Sequence, residues 1–535
     1  MRKNLTTDIY KKIILDSFPR LISWCDKNPS SSSFGCFDRN FWHYKIVDTP
    51  SARLQEGVLA LTLAYLDIDT PFFQKEDVKE WIAGGLAFWL KIQQKDGSFN
   101  EWYPCEKSFV ATAFSSCAVS ETLLLLPDIK EKEKIIIGLK KAGDWLCSKK
   151  DTEVFNQNAG AILVLYNIYL LTGEEKYKKA SAELAEFLIQ NQSQEGWFKE
   201  YGGPDIGYLS LTVDYLAKYY LKSKNEKILT ALERTLSFLA YFMHPDGSAG
   251  GIYGSRNTSY IIPSGIEILA GFSPLSQKIS SFLQESLLNN NILNPAIIDD
   301  RYLIQNGYTF LQASHYLKQR GESKNSEAVL PYDIFENKHF PKAGIFIKST
   351  PMLYAVINCK KGGACYIFNR QTKTGIYNTG ILLLYKKKSY ASSMISEQNE
   401  LVVSPDSANI VIKGFLKKAP DITPTPFRHF ALRAVMASTS FAPGLAGFAK
   451  KILRSLLISR KRRSSFIFER SFDFNEGAVI KDSFPAAVFD DGWAGGIQEL
   501  VLTPSSRYYN NIFKDSLIKR LTKEELLKGL HFTQR

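Results

Sequence analysis

Two textures divide the chain. Up to about residue 325 apolar residues return every three or four positions, the period of a helix with one buried face. Beyond about residue 340 they come in short runs: "GIFIKS", "LYAVINC", "ACYIFNR", "GILLLYKK", "NELVVS", "NIVIKGF", "SFIFERSFDF", "AVIKDSF" and "IQELVLT". These runs are rich in β-branched and aromatic residues and are broken by Gly, Pro, Ser and Asn, which predicts an antiparallel β-sandwich.

The helical part is punctuated at regular intervals. "LKIQQKDGSFNEWYP" places a glycine at 97, "LIQNQSQEGWFKEYGGP" at 196 and "LAYFMHPDGSAGGIYG" at 247. The intervals are 196 − 97 = 99 and 247 − 196 = 51, so the first spans two of the second. A corner is therefore expected near 147, where "LCSKKDTEVFNQNAGA" begins, and another near 298, at "NPAIIDDRYLIQNGY". A period of about fifty residues holds one helical hairpin. About six hairpins fit before residue 325, and closed on themselves they form an (α/α) toroid; the divergence of the repeats disfavours an open solenoid. The expected organisation is multidomain α+β: a toroid over 1–325, a linker over 326–340, an antiparallel sandwich over 341–511 and a C-terminal helical tail over 512–535.

Length agrees with this division, since 535 residues exceed what one core organises. A 45% hydrophobic and 23% charged composition argues against disorder. Seven cysteines with no C-x-x-C pair argue against a disulfide framework or zinc ribbon and fit a reducing compartment. Asp8, Lys11 and Lys12 interrupt the N-terminal apolar residues, so neither a signal peptide nor a transmembrane helix is expected, and the location expected is cytoplasmic.

The net charge of +13 is local: nine Lys and Arg and no acid lie between Asp421 and Glu469, leaving 13 − 9 = +4 elsewhere. No nucleic-acid partner is expected from that balance. Within the basic stretch, a helical wheel puts Leu445, Phe448, Ile452 and Leu456 on one face, with Lys450, Lys451 and Arg454 opposite. The 427–463 insertion therefore reads as a basic amphipathic surface for an anionic inner-membrane face or an acidic partner. A helix packed on the sandwich with a solvated basic rim is the plain alternative.

Chemistry is expected at the toroid corners, and four clusters stand out. "CFDRNFWHYK" gathers Asp38, Arg39, Trp42, His43, Tyr44 and Lys45; His43 is a candidate general base or acid, or else a hydrogen-bonded core residue. "FNQNAGA" offers Asn156 and Asn158, one of which serves as a helix cap and the other as a substrate amide. In "EYGGPDIGYLSLTVDY", Tyr208 lies in the first helical turn and faces the cavity, Asp205 precedes it as cap or ligand, and Tyr215 and Tyr219 read as buried packing. "DGSAGGIYGSRNTSY" carries Arg256, whose planar fork suits a carboxylate, with Asn257 and Tyr260. Tyr44 and Trp102, aromatic residues at such corners, are counted with the substrate-binding set.

On "NQNAGA", "YGGPDIGY", "GSRNT" and "RSFDFNEGAVIKDSF", with helical corners followed by a sandwich, the chain distantly resembles the heparinase II/III-like polysaccharide lyases. The resemblance implies β-elimination on a uronate-containing acidic polysaccharide. Asn158 and Arg256 would hold the uronate carboxylate, and Tyr208 with His43 would exchange the C5 proton. The histidine of this role stays open among His43, His244, His339 and His429. No metal or other cofactor is expected. Three further readings are a uronate C5-epimerase of glycan biosynthesis, a toroid glycoside hydrolase using Asp96, Glu101, Asp205 or Asp246, and a non-catalytic glycan-binding scaffold.

Overall fold

The computed structural model describes residues 8–321, 327–419, 425–439, 463–475, 477–484, 489–495, 518–522 and 530–534. Its helices are α1 (Ile9–Ile22), α2 (Arg39–Trp42), α3 (Gly57–Leu66), α4 (Glu76–Lys91), α5 (Phe109–Leu125), α6 (Lys132–Cys147), α7 (Phe155–Thr172) and α8 (Glu175–Gln190). There follow α9 (Ile206–Ser223), α10 (Glu226–Leu239), α11 (Pro263–Leu269), α12 (Pro274–Leu288), α13 (Asp300–Asn306), α14 (Tyr308–Arg320) and, far downstream, α15 (Pro426–Thr439).

Helices α3, α5, α7, α9, α11 and α14 each pack on the next, and α14 returns to α3, so an inner ring closes. Behind it α4, α6, α8, α10, α12 and α1 form the outer layer. The two layers differ in sequence for a physical reason. Outer helices such as α8, "EKYKKASAELAEFLIQ", carry one apolar stripe and a charged face. Inner ones such as α5, "FVATAFSSCAVSETLLL", are apolar or small on nearly every side because helices flank them on both sides.

The recurring corners are structurally equivalent. Gly97, Gly196 and Gly247 adopt φ of 90°, 98° and 81°, a region that L side chains enter at a cost. Each glycine amide bonds back three residues, to Gln94, Ser193 and His244 carbonyls at 2.9, 2.9 and 3.0 Å. Gln93 and Gln192 then reach equivalent targets: the carbonyl of their own corner glycine at 3.1 Å, and the next outer helix at Gly138 (2.8 Å) or Ala231 (2.9 Å). The outer-to-inner connections 92–108, 191–205 and 240–262 are long, and 148–154 lies at the same rim; the inner-to-outer ones at 173–174 and 224–225 are short. The inner helices α5, α7, α9 and α11 therefore all begin at the rim where the long connections gather.

The strands build two antiparallel sheets. In the first, β1 (Lys338–Phe340), β2 (Ile345–Ser349), β3 (Leu353–Asn358), β4 (Ala364–Asn369) and β5 (Thr374–Asn378) pair in sequence order. The second contains β6 (Ile381–Tyr385), β7 (Lys388–Ala391), β8 (Glu400–Val403), β9 (Asn409–Lys418), β10 (Arg463–Asp473), β11 (Ala478–Ser483), β12 (Asp491–Gly495), β13 (Ile518–Arg520) and β14 (Leu530–Gln534). Its order is β13-β12-β6-β7-β9-β10-β11-β14, with β8 on β9. Both faces of its central strands β2, β3 and β4 are buried. Ile345, Ile347, Tyr354, Val356 and Tyr366 join the toroid core, while Phe346, Ala355, Ile357, Cys365 and Ile367 pack on the second sheet. That is why "LYAVIN" reads as a continuous apolar run rather than an alternating one.

Three details differ from the sequence reading or fall outside the described residues. Among the described residues of the expected helical tail, β13 and β14 are strands, paired with β12 and β11; the edges of a large sheet supply partners that no local pattern reveals. The wheel positions Leu445, Phe448, Ile452 and Leu456 lie outside the described residues. Within the expected linker, β1 already belongs to the first sheet. No described helix is long and apolar enough to cross a membrane.

Toroid and sandwich share a buried polar seam. His244 is fully buried; its Nδ1 lies 2.8 Å from Ser248 Oγ, its Nε2 2.7 Å from the Tyr253 hydroxyl, and its ring stacks on Tyr366 at 4.1 Å. Burial pushes His244 down from 6.5 to about 4, against the opposing pull of Asp246. Between those values the unfolded chain binds a proton that the native state does not. Stability is thus complete above about pH 6.5 and declines as pH falls toward 4, by about 3 kcal/mol for this group. Denaturant melts across that window are expected to show the loss, and His244→Gln to flatten it. An unchanged slope in the variant would assign the acid sensitivity to other groups.

Candidate functional site

At the rim of long connections, the stretch from Glu200 to Tyr208 and the loop from Gly251 to Thr258 are bound together by one carboxylate. Asp205 is fully buried and caps α9. Its Oδ1 accepts from the Tyr208 amide at 3.3 Å and from the Thr258 hydroxyl; its Oδ2 accepts from the Arg256 and Thr258 amides at 2.9 and 3.3 Å. Asp205 therefore fixes the two segments against each other, and both of its oxygens are engaged by the protein. Four bonds to one charged group are strong enough to hold both loops in register.

Tyr208 stands out by exposure: from Gly203 to Tyr220 it is the one residue that is not buried. Tyr215 and Tyr219 of the same helix are buried at 1% and 2%, packing as expected. The Tyr208 hydroxyl lies 3.4 Å from that of Tyr302, and the Tyr302 ring packs edge-on against Tyr260 at 5.8 Å. Burial, followed by the Tyr208 phenol, pushes Tyr302 well above the usual phenol range. Arg256 lies half-buried with its guanidinium 4.6 Å from the centre of the Tyr201 ring. Burial opposes its charge, but Tyr208, Tyr201, Asp205 and Tyr302 surround it and together raise its pKa. A tyrosine cluster beside an arginine is thus assembled from three separate corners.

The other amides serve the framework. Asn158 is fully buried, its Oδ1 accepting from the Asp151 amide at 2.9 Å and its Nδ2 donating to the Asp151 carbonyl at 2.8 Å. Asn156 donates through its backbone and side chain to Glu200, each at 2.9 Å. Glu200 itself is fully buried, and desolvation raises its carboxyl well above the usual range. Between the two asparagines, Gln157 has no side-chain hydrogen bond among the described residues. Asn257, at φ 58°, accepts from the Lys361 ammonium of the sandwich.

A second charged group lies across the rim. Arg301 donates to Glu101 Oε1 at 2.8 Å and stacks at 4.0 Å over Trp102, which is 62% exposed. Arg53 is bonded to the buried Glu56, whose desolvation outweighs the arginine and raises it to about 7. His43 occupies an exposed stretch with its ring 5.2 Å from Trp42 and 4.8 Å from Tyr44; no described hydrogen bond joins it to Tyr208. Tyr44 is likewise exposed, under Arg39 at 5.3 Å. Of the other histidines, His244 is spent in the seam and His339 lies in β1. Among the described residues no three His, Cys, Asp or Glu side chains gather as a metal site.

The sequence reading singled out Tyr208 and Arg256 and passed over Arg53, Arg301, Tyr302 and Gln157. Arg301 and Tyr302 follow directly on the corner expected near 298 and were legible there. Arg53 sits on a short 3-10 turn, Ala52–Glu56, which carries no motif.

A closed helical toroid followed by an antiparallel sandwich has counterparts among solved structures. Residues 77–315 match the family model described as the Ulvan lyase N-terminal domain. The chondroitin AC lyase of Streptomyces coelicolor A3, solved in complex with chondroitin sulphate, aligns with a TM-score of 0.57 at 10% identity, covering 92% of this chain and 68% of that one. A tyrosine-to-alanine variant of the same lyase aligns at 0.55, also at 10% identity and with the same coverages. No curated protein matches. The likeness over residues 77–315 is to that domain family, and the likeness to the solved lyase is one of fold.

Proposed function

We propose that this protein is a carbohydrate-active enzyme that cleaves a uronate-containing acidic polysaccharide by β-elimination at the Tyr208–Arg256 cluster. The observation that carries the reading is the half-exposed Tyr208 phenol, 3.4 Å from the Tyr302 hydroxyl, on the segment that Asp205 ties to the Arg256 loop. A C5 proton next to a carboxylate is removed readily only when the developing charge is stabilised. Arg256 supplies the fixed cation for the carboxylate. Tyr208, as phenolate, takes the C5 proton; the C–H electron pair forms the C4–C5 double bond, and the C4–O bond breaks. The leaving oxygen takes the proton back from Tyr208, so one residue serves as base and then acid. Tyr302, 3.4 Å away, hydrogen-bonds the phenolate stage.

Several features support an anionic substrate. The inner helices direct their N-termini, the positive ends of their dipoles, toward this rim. Arg301 on Trp102 adds a cation over an aromatic face. The structurally similar chondroitin AC lyase was captured with an acidic polysaccharide. Hydrolysis is less well supported, because its candidate carboxylates are engaged. Asp96 and Asp246 accept from Ser98 and Ser248 hydroxyls within their corners, both at 2.6 Å, Asp205 staples the loops, and Glu101 pairs with Arg301.

Incubation with uronate polymers tests the reading. Elimination yields an unsaturated, ultraviolet-absorbing end. Deuterium incorporation at C5 without chain shortening would assign the same residues to epimerisation instead, and reducing ends without that absorbance would assign hydrolysis.

A further inference from the structure

The loop that presents Arg256 is held from two sides. On the toroid side Asp205 takes the Arg256 amide, and the Ser255 hydroxyl donates to the Glu200 carbonyl at 2.6 Å. On the other side stands the turn between β3 and β4, residues 359–363 of the sandwich. Lys361 is 6% exposed, and its ammonium donates to the Ile252 carbonyl at 2.5 Å, the Gly254 carbonyl at 2.6 Å and Asn257 Oδ1. Asn358 fills the remaining acceptor between them, donating through Nδ2 to the Tyr253 carbonyl at 2.7 Å, while its Oδ1 accepts from the Lys361 amide at 3.0 Å. Four oxygens of one loop thus bond to two side chains of the other domain.

The turn is itself rigidly shaped. Gly362 has φ 62°, and a Cβ there would lie 2.2 Å from the Ser392 carbonyl oxygen. Arg470, in a buried bidentate pair with Asp482 at 2.6 Å, also donates to the Gly363 carbonyl at 3.2 Å. The second sheet therefore fixes the turn, and the turn fixes the loop.

We infer that Lys361 is a positioning residue: through Ile252, Gly254 and Asn257 it sets the backbone from which Arg256 meets the substrate carboxylate. The inference rests on the elimination reading for its effect on substrate but not for its effect on the loop. A lysine ammonium has three donors, and here each has an oxygen. Removing the charge leaves three buried acceptors without their donor, and the loop must open to water to satisfy them. Asn257 at φ 58° follows the same logic, since its side chain ties a left-handed residue to the clamp next to Arg256.

Two measurements on the full chain test this. Lys361→Met keeps the stem and removes the ammonium, and Asn358→Ala, a milder cut of the same clamp, serves if the first variant folds poorly. Amide exchange in 251–258 is expected to quicken about tenfold in either variant while exchange in α5 and α7 stays unchanged; unchanged exchange in the loop overturns the clamp. With uronate polymer, kcat/KM is expected to fall about tenfold, and to fall no further when Lys361→Met is added to Arg256→Ala. Equal effects in both backgrounds would overturn action through Arg256. Faster loop exchange in a protein whose wild type neither binds nor processes uronate polymers would retain the clamp and remove the elimination reading.

Discussion

Tyr208→Phe is expected to lower turnover of a uronate polymer by roughly a thousandfold while leaving the fold intact, because it removes one oxygen and no packing. The phenol is the half-exposed group on an otherwise buried stretch, and its one described side-chain hydrogen bond is the 3.4 Å contact to Tyr302. Losing that contact costs at most about 1 kcal/mol of stability. KM should change little, since in the proposed elimination the hydroxyl acts on the proton and Arg256 on the carboxylate. Parallel melting curves with turnover near wild type would remove Tyr208 from the chemistry. Tyr302→Phe is the control: a buried phenol pushed far above its usual range stays protonated, so its loss should slow the reaction much less.

The second large effect is expected at Arg256. Arg256→Ala should reduce kcat/KM for acidic glycans by about two to three orders of magnitude, the scale seen when one preorganised donor to a developing oxyanion is deleted. Arg256→Lys should restore part of it, because a lysine keeps the charge but loses the planar fork. The guanidinium is built into its position: its backbone amide bonds Asp205, its face rests on Tyr201, and the surrounding phenols favour its charge. Binding of neutral glycans should be nearly unaffected. An equal loss for neutral and acidic glycans would mean that Arg256 shapes the cavity rather than reading the carboxylate.

The fold was legible where local geometry repeats. The glycines at 97, 196 and 247 mark the same hydrogen-bonded corner three times, and the fifty-residue spacing follows from two helices and their turns. The sandwich was legible from short β-branched runs, although the central strands of the first sheet hide their alternation because both faces are buried. The strands at 518–520 and 530–534 were not legible, since an edge strand takes its structure from the neighbour it pairs with.

The candidate site divides in the same way. Tyr208 and Arg256 carry their signal in short motifs, one after a cap and one after glycines. Asn158 and Asp205 carried an equally good signal, yet both are engaged by backbone groups. An amide or acid near a helix start satisfies a ligand or its own main chain equally well, and only the folded path of the loop selects between them.

What this sequence determined by itself is therefore the toroid-then-sandwich plan and the corners from which the candidate site is built, because periodicity and turn residues act over a few positions. The tertiary structure alone decided that Tyr208 stands beside Arg256 and Tyr302, that Arg301 covers Trp102, and that a sandwich lysine holds the arginine loop. Those contacts join residues tens to hundreds of positions apart. Their distances are set by ring closure and domain docking, which no local pattern encodes.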